Sequence, residues 1–241
     1  MILPQGLDDA AVRSPFIAIT FAVPEESAAF RRELRKKQAR TQNGFRLVDG
    51  ELDGRTIRIA HIGIGLQSAR ERTALLLEKE RPSLLIAAGF GGALDPTLQI
   101  GDVVVDRRTS PASIPGGSDF RLGSIVSSPH ALETPGEKAE LHRQTGALAV
   151  DMETDAIAAI CAERGVPLLA VRAISDRAAD FLPVPLPAWY DLQRQRPRPL
   201  VLMGYLAGHP GAIGPFVRFL RGLSLARHKL AATLIQLTSQ L

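Results

Sequence analysis

Three carboxylates occupy alternate positions in VDMETDAIAAI, residues 150–160, namely Asp151, Glu153 and Asp155. Alternation is typical of a strand, whereas the residues that follow are typical of a helix. Acidic side chains are favoured in the first turn of a helix because the helix dipole is positive there. The residues alone therefore leave two interpretations open: acids that cap a helix, or carboxylates that face a ligand.

Acidic residues also follow other predicted strands. Glu25 and Glu26 come after the apolar run FIAITFAV, and Ser175 and Asp176 end the run PLLAVRAISD. In open α/β sheets, ligands bind beyond the carboxyl ends of the strands. Several carboxylates converging there, with few basic residues, suit an uncharged polyol such as a sugar and suit a phosphate poorly.

The elements that must position these acids alternate along the chain. Apolar runs such as SLLIAAGF predict strands buried on both faces, and segments such as QSARERTALLLEKE predict amphipathic helices. PEESAAFRRELRKK predicts a helix near Pro24, Asp53-Gly54 predicts a hairpin, and Gly146 and Gly165 are expected to end two helices. The pattern predicts a three-layer α/β/α fold with a mixed, mostly parallel central sheet.

The bulk composition suits one domain over residues 1–241. Of 241 residues, 45% are hydrophobic and 22% are charged, enough for a sizeable core. Cys161 is the single cysteine, so an intrachain disulfide is excluded and a reducing compartment is expected. The N-terminal residues lack a basic segment followed by an apolar one, so we expect no signal peptide and a cytoplasmic protein.

The C-terminal region, residues 198–241, is expected to be a basic helical extension. The chain after Asp191 contains no acidic residue and seven basic ones, so the formal net charge of +4 becomes −3 when this tail is left out. Residues 199–217 are uncharged and long enough for a membrane span. Their prolines and glycines instead predict two helices that meet at GHPGAIGP.

Two interpretations of this tail remain open. Its last helix packs its apolar face on the domain, or it contacts an anionic lipid surface, which would place the protein at the inner membrane surface. Nucleic acid is disfavoured as a partner because the basic residues lack interleaved aromatic side chains.

Two segments resemble the nucleoside phosphorylase and nucleosidase superfamily. GIGLQSARERTALLLEKERPSLLIAAGFGGALDPTLQIGDVVV is similar to its turn-helix-strand-turn core. ALAVDMETDAIAAICAERGVPLLAVRAISD resembles its signature, in which a Met-Glu pair opens a helix and a Ser-Asp pair ends the next strand. The chain resembles the 5′-methylthioadenosine/S-adenosylhomocysteine nucleosidases and, in TGALAVDMET and the tail, the hopanoid-associated phosphorylases.

The resemblance implies cleavage of the N-glycosidic bond of a purine nucleoside. Glu153 would accept hydrogen bonds from the ribose hydroxyls, and Met152 would pack on the sugar. Asp176, held by Ser175, would act as general acid toward the base, and Glu26 would activate water. The other substrate-binding residues that the resemblance implies are Phe90, Gly91, Ala131 and Leu132.

Two positions favour hydrolysis over phosphorolysis. Glu26 and Ala87 stand where phosphorylases of the hexameric type have phosphate-binding arginines. Phe90 departs from the family pattern, which has a small Ser or Thr there, and its ring would fill the nucleophile site or reshape the base pocket. Three functions stay open: hydrolysis, phosphorolysis of an adenosylated hopanoid with phosphate as co-substrate, and non-catalytic binding of a nucleoside or membrane.

We expect no cofactor and no metal. GIGLQS (63–68) half-matches a dinucleotide-binding turn, but no acidic residue follows at the expected distance. A serine hydrolase is disfavoured because the chain has no G-x-S-x-G motif. His61 and His130 are interpreted as ordinary core or surface residues and Cys161 as a core residue. The glycine-rich turns and the family resemblance suggest a homo-oligomer.

Overall fold

The computed structural model describes residues 15–42, 45–108 and 119–240. The strands are, in chain order, β1 Phe16–Phe21, β2 Arg35–Gln42, β3 Phe45–Leu52, β4 Arg55–His61, β5 Leu84–Ala93, β6 Val103–Asp106, β7 Arg121–Leu122, β8 Ile125–Ser127, β9 Ala149–Asp151, β10 Leu168–Asp176, β11 Tyr190–Asp191 and β12 Arg196–Pro197. The helices are α1 Pro24–Ser27, α2 Phe30–Glu33, α3 Leu66–Lys79, α4 Pro135–Thr145, α5 Thr154–Arg164, α6 Leu186–Trp189, α7 Pro199–Gly208 and α8 Ile213–Gln240.

Ten of the strands in the described residues form one mixed sheet, in the order β2-β3-β4-β1-β5-β10-β6-β7. β9 pairs with the end of β5, and β8 pairs with β9. The central strands β4, β1, β5 and β10 run parallel, whereas the outer pairs β2–β3, β3–β4 and β6–β10 are antiparallel. The predicted mixed sheet is confirmed.

Helices cover both faces of this sheet. On one face, Ala69, Leu76 and Leu77 of α3 and Ile157 and Ile160 of α5 join one buried cluster with side chains of the central strands. On the other face, the second cluster is completed from α8 by Ala226, Leu230, Leu234 and Leu237. Every residue of β1 and of β10 is buried, as expected for strands covered on both sides. The structure thus has the predicted α/β/α layers.

Local signals end the helices where expected. Gly146 and Gly165 adopt the left-handed conformation (φ +66°) after α4 and α5, and the Asp53-Gly54 turn joins the antiparallel strands β3 and β4. The 111° bend between α7 and the following residues agrees with the predicted meeting of two helices at GHPGAIGP.

The helix predicted over PEESAAFRRELRKK is wrong in its second half. The structure has two single-turn helices, α1 and α2, and then the edge strand β2, which begins at Arg35. Leu34 is already extended (ψ 140°), and β2 pairs with β3 through a register shift between Arg35 and Gln38. Pairing with the long hairpin outweighs the helix propensity of this basic segment, because propensity is a weak local preference.

Candidate active site

The ends of β1, β5, β9 and β10 open into one cavity of about 420 Å³. Its volume is in the range of small-molecule sites. The cavity wall includes all nine residues that the sequence predicted for the site, which are Glu26, Phe90, Gly91, Ala131, Leu132, Met152, Glu153, Ser175 and Asp176. Residues more than 100 positions apart in sequence therefore converge on one hollow.

Glu153 lies at the junction of β9 and α5, where it is the residue before the first helical turn. Its Oε1 accepts the N–H of Gly65 at 2.8 Å. Burial, reinforced by the negative charge of Asp151, raises the pKa of Glu153 to about 8, although Arg172 and the Gly65 N–H act in the opposite direction. Glu153 is therefore mostly protonated at neutral pH.

Asp151 is not a solvated charge but half of a buried ion pair with Arg172. Burial alone would raise its pKa, but the Arg172 guanidinium and the hydrogen bonds from Ser127 and Thr154 hold the pKa of Asp151 below its usual range. Its bond from the Thr154 N–H, 3.1 Å, also caps α5, as the helix-start interpretation expected. Arg172 was missed from the sequence, because it lies inside an apolar strand with no local signal of its partner.

Asp155, the third acid of the motif, points away from the cavity. Its Oδ2 accepts the N–H of Ser127 at 2.8 Å, and its Oδ1 lies 3.0 Å from a guanidinium nitrogen of Arg108. The three alternating acids therefore have three different surroundings. Asp151 is paired with buried Arg172 behind the cavity wall, Glu153 faces the cavity, and Asp155 lies at the surface.

Asp176 ends β10 at the cavity wall and is held from two sides. The Ser175 hydroxyl donates to its Oδ1 at 2.6 Å, as the resemblance implied. The ammonium of Lys138, on α4, lies 2.5 Å from its Oδ2. Lys138 is fully buried and was missed from the sequence, where it reads as one charge among several on a polar helix.

Glu26, on α1, is held as a hydrogen-bond acceptor by the backbone. Its Oε2 accepts the N–H groups of Ala22 (2.9 Å) and Val23 (3.2 Å), and its Oε1 accepts that of Phe90 (2.9 Å). Burial raises the pKa of Glu26, opposed by these three N–H donors and by Arg172. The carboxyl group is thus held in a fixed orientation, and its raised pKa favours acceptance of a proton.

The glycine turn at residues 63–68, which half-matches a dinucleotide-binding motif, makes hydrogen bonds to other parts of the protein. Gly65 (φ +98°) gives its N–H to Glu153, and the side-chain amide of Gln195 brackets Ile64 through two hydrogen bonds of 2.7 and 2.9 Å. Gln195 lies 131 residues away from the turn, so no local pattern could have identified it.

Phe90, which departs from the family pattern, stands at the wall of the cavity. Its ring is partly buried and packs against the cluster beneath α8, while its N–H holds Glu26. The ring is therefore one boundary of the space in front of Glu26.

The two histidines and the cysteine named in the sequence analysis lie outside the group of carboxylates at the cavity. His61 contacts the Ser27 hydroxyl at 2.8 Å, and burial lowers its pKa to about 4, so its ring is neutral at pH 7. His130 is exposed at the cavity rim. Cys161 is buried in the core as predicted, and burial raises its pKa to about 12. Among the described residues, no group of three or more His, Cys, Asp or Glu could hold a metal ion.

The outer wall of the cavity combines two segments of the C-terminal part of the chain. It is largely apolar and comes from the proline-rich segment before β11 and from α8, with Leu182, Val184, Leu186, Trp189, Phe219 and Leu223. Arg227 of α8 is a charged residue on this wall, and its buried Nε has no hydrogen-bond partner among the described residues.

Comparisons with known proteins agree with this architecture. A family model described as the Phosphorylase superfamily matches residues 16–111 and 107–191. The 5′-methylthioadenosine/S-adenosylhomocysteine nucleosidase of Neisseria meningitidis, solved with methylthio-immucillin-A, is similar with a TM-score of 0.70 at 20% identity, over 94% of this chain and 99% of that one.

Two further solved structures have the same fold. The nucleosidase of Colwellia psychrerythraea, in complex with adenine, gives a TM-score of 0.60 at 22% identity over 69% of this chain and 84% of that one. A futalosine hydrolase mutant of Helicobacter pylori gives 0.56 at 19% identity over 66% and 89%.

Proposed function

The chain belongs to the phosphorylase superfamily, and from this we propose that it is an enzyme that cleaves the N-glycosidic bond of an adenosine-type nucleoside, with water as the nucleophile. One observation carries the proposal: Glu26, Glu153 and Asp176, which come from three separate parts of the chain, line the same cavity. In such a site, one carboxylate can accept hydrogen bonds from sugar hydroxyls, a second can protonate the purine, and a third can accept a proton from water.

Glu153 and Met152 form the sugar side of the proposed complex. A carboxylate can accept hydrogen bonds from both ribose hydroxyls, and charge-assisted bonds of this kind are stronger than neutral ones. Because burial raises the pKa of Glu153 to about 8, hydrogen bonds donated by the ribose hydroxyls would favour its carboxylate form in the complex. Met152 supplies the apolar contact.

Asp176 is the proposed general acid that protonates the purine. Protonation of the purine at its imidazole ring turns it into a neutral leaving group, and general acid catalysis of this kind contributes about 10²–10⁴-fold. Ser175 orients the carboxyl through the 2.6 Å hydrogen bond to Oδ1. The anomeric carbon becomes cation-like as the bond breaks, and nearby carboxylates stabilise that charge.

Glu26 is the proposed base toward water. Its two oxygens are aimed by three backbone N–H groups, and its raised pKa favours acceptance of a proton. A carboxylate in this position also repels phosphate. Ala87 is fully buried within β5 and offers no cation, which further favours water.

The choice of an adenosine-type nucleoside follows the neighbours of known structure. Two of them are named as nucleosidases of methylthioadenosine and S-adenosylhomocysteine, and one of these holds adenine. The apolar outer wall is compatible with an uncharged 5′ substituent.

Phosphorolysis is the second candidate, and Arg227 is the observation that favours it. An arginine without a partner at its Nε, on the wall of the same cavity, is suited to hold a phosphate oxygen. The hopanoid-linked form of this candidate receives no support from the matched proteins.

One assay separates these candidates. The protein is incubated with adenosine, methylthioadenosine, S-adenosylhomocysteine and inosine, with and without phosphate, and the sugar product is identified. Free ribose or its 5′ derivative, formed without phosphate, supports hydrolysis. A sugar 1-phosphate formed only with phosphate supports phosphorolysis. Thermal protection by a nucleoside without turnover would leave a non-catalytic binder.

Matched variants connect the activity to the cavity. Asp176→Asn should lower kcat by about 10²–10⁴-fold, the range of a lost general acid. Asp102→Asn, outside the cavity wall, is the control and should leave kcat unchanged. If Asp176→Asn keeps the wild-type kcat on purine nucleosides, the assigned role of Asp176 is wrong.

We also propose that α7 and the beginning of α8 contact an anionic membrane surface. No residue of α7 is buried, Leu200 is 81% exposed and Met203 65%, and arginines flank the segment on both sides. Among the described residues no single helix is long and apolar enough to cross a membrane. α7 and the next helical segment meet that test together by length and composition, but they are bent by 111°.

A further inference from the structure

The fully buried Lys138 is tied to Asp176 and to the chain just after it. Its Nζ donates to Asp176 Oδ2 at 2.5 Å and to the carbonyl oxygens of Arg177 and Asp180 at 2.9 Å each. An ammonium has three protons, so these three acceptors use all of its donors. We propose that Lys138 stores the proton that Asp176 passes to the leaving purine, a proposal that rests on the function proposed above.

The position of Lys138 has no explanation in the stability of its helix. It lies in the first turns of α4, four residues after the N-cap Thr134, where the helix dipole disfavours a cation. Burying an ammonium and a carboxylate together also costs desolvation energy that an apolar pair would avoid. A buried cation in direct contact with the proposed acid, at the wall of the cavity, is better explained by the chemistry of that acid.

The local hydrogen bonds are satisfied for either location of the shared proton. When Nζ carries three protons, Asp176 is a carboxylate and accepts from both Lys138 and Ser175. When one proton moves to Oδ2, the neutral amine still donates to the two carbonyl groups, and its lone pair accepts from the new carboxyl O–H. The transfer therefore leaves no buried group unpaired, which would otherwise cost free energy.

The proposed step balances as follows. The C1′–N9 bond breaks and its electron pair stays on the purine, while an imidazole nitrogen of the purine takes the proton from Asp176. Asp176 takes its proton from Lys138, which becomes a neutral amine. Water forms the new bond to C1′ and gives its proton to Glu26. After the products leave, Lys138 regains a proton from solvent and Glu26 releases one.

Other charged groups share the surroundings of this pair. Asp180, whose carboxylate is paired with Arg177 at 2.9 Å, lies on the segment that Lys138 holds, and its pKa is lowered in part by Lys138. The titratable or charged side chains on the remaining cavity wall are Glu25, Glu26, His130, Asp151, Glu153, Tyr190 and Arg227. Loss of the Lys138 charge shifts the titration of such neighbours in the variant, and that shift acts on every substrate, so the comparison of two substrates described below separates it from the supply of a proton to the purine.

The test compares kcat of Lys138→Met with that of the wild type as a function of pH. A lone carboxyl loses its proton near pH 4, whereas a lysine keeps its own to about pH 10. The variant must draw the proton from a carboxyl group, so the ratio of its kcat to the wild-type kcat should be at least about tenfold lower at about pH 9 than at about pH 5.5.

A substrate whose leaving group needs no proton provides the control. 4-Nitrophenyl riboside releases a stable anion, so its cleavage by Lys138→Met should stay within about threefold of wild type, while purine release falls by about 10²-fold. Thermal melting establishes that the variant is folded. A loss of equal size on both substrates, or a ratio of kcat values that does not change with pH, would overturn the proposal.

Lys138→Arg separates holding from proton storage. A guanidinium can pair with Asp176 but is not deprotonated in proteins, so this variant should keep the nucleoside KM and remain low in kcat. Restoration of kcat to near the wild-type value would show that Lys138 only anchors Asp176. Failure of the proposed function gives a different result from failure of the Lys138 proposal. If the proposed function is wrong, the wild-type protein itself releases no purine from any nucleoside.

Discussion

Three carboxylates of the cavity wall, Glu26, Glu153 and Asp176, differ in what holds them, although all three are buried. Glu153 accepts a backbone N–H and faces Asp151, Glu26 accepts three backbone N–H groups, and Asp176 has an ammonium and a hydroxyl. Burial raises the pKa of both Glu153 and Glu26, whereas the two oxygens of Asp176 are directly paired with a cation and a hydroxyl. These differences let chemically similar side chains take different roles.

Glu153→Gln should stabilise the protein increasingly as the pH rises. The folded chain keeps a proton on Glu153 up to a pKa of about 8, against a reference value of 4.5. The unfolded state therefore binds fewer protons between these values, and raising the pH favours unfolding. Melting temperatures measured from about pH 5 to about pH 8.5 should show a widening gap between variant and wild type. A constant or narrowing gap contradicts the raised pKa.

Gly89→Ala should displace Glu26. A Cβ at Gly89 would lie 2.9 Å from Glu26 Oε1, and the carboxylate cannot yield without losing its backbone hydrogen bonds. We expect kcat to fall by at least about tenfold, because misplacement of a reacting group by one ångström can cost more than that. Gly136→Ala, whose Cβ would have its nearest neighbour at 4.0 Å, is the matched control and should retain full activity. Wild-type kcat in Gly89→Ala would exclude Glu26 from the reaction.

At the scale of elements, the change from β9 to α5 distributes the three acids of VDMETDAIAAI. Asp151 ends the strand and turns into the protein, where Arg172 and Thr154 hold it. Glu153 is the residue before the helix and faces the cavity, and Asp155 is already on the outer side of the first turn. Alternation that continued as a strand would have put all three carboxylates on one face.

α8 should contribute to stability through its inner face alone. Leu230 and Leu234 are fully buried against the sheet, so either change to Ala should cost about 2–5 kcal/mol of unfolding free energy, the usual range for a buried leucine. Val217→Ala, at a side chain that is 42% exposed on the same helix, is the control and should lower the unfolding free energy by less than about 0.5 kcal/mol. Denaturant unfolding measures both. Equal small losses would mean that α8 is not part of the core.

At the scale of the whole molecule, charge is distributed unevenly along the chain. Acidic residues cluster at the strand ends around the cavity, whereas the C-terminal tail is basic and apolar. α8 packs on the sheet, whereas α7 has no buried side chain. The proposed membrane contact rests on this exposed apolar helix, with Arg198 before it and Arg218 and Arg221 after the bend. The proposed membrane contact, the homo-oligomer, the location in the cell and the division of the chain at residue 198 stay predictions.

Flotation with lipid vesicles checks the membrane contact. Wild-type protein should rise with phosphatidylserine vesicles at low salt, less so at high salt because the Debye length shortens, and least with neutral vesicles. Changing both Leu200 and Met203 to Glu should abolish flotation. Leu122→Glu, at an exposed leucine outside this helix, is the matched control and should float like wild type. Wild-type protein that stays in solution with anionic vesicles contradicts the contact.

The sequence by itself determined most of the layered fold, because its signals are local. Runs of apolar residues, the Asp53-Gly54 turn and the helix-ending glycines depend on neighbours a few positions away, and each has the expected structure. β2 is the exception, since a strand that pairs at an edge is specified by its partner and not by its own propensity. The nine predicted site residues also reach one cavity. Glu26, Phe90, Gly91, Ser175 and Asp176 lie at or just after the ends of the parallel strands β1, β5 and β10, which meet at one edge of the sheet. Met152 and Glu153 instead follow β9, which is antiparallel to β5.

Tertiary structure alone decided which partners hold these residues. The Lys138–Asp176, Arg172–Asp151 and Gln195–Ile64 contacts join positions 38, 21 and 131 residues apart. Each contact joins segments that are distant in sequence. The polar groups involved need a partner only after folding has removed them from water. A sequence can show which side chains could ionise, but the protonation of Glu153 and the pairing of Asp176 with an ammonium depend on burial and on distances that exist only in the folded chain.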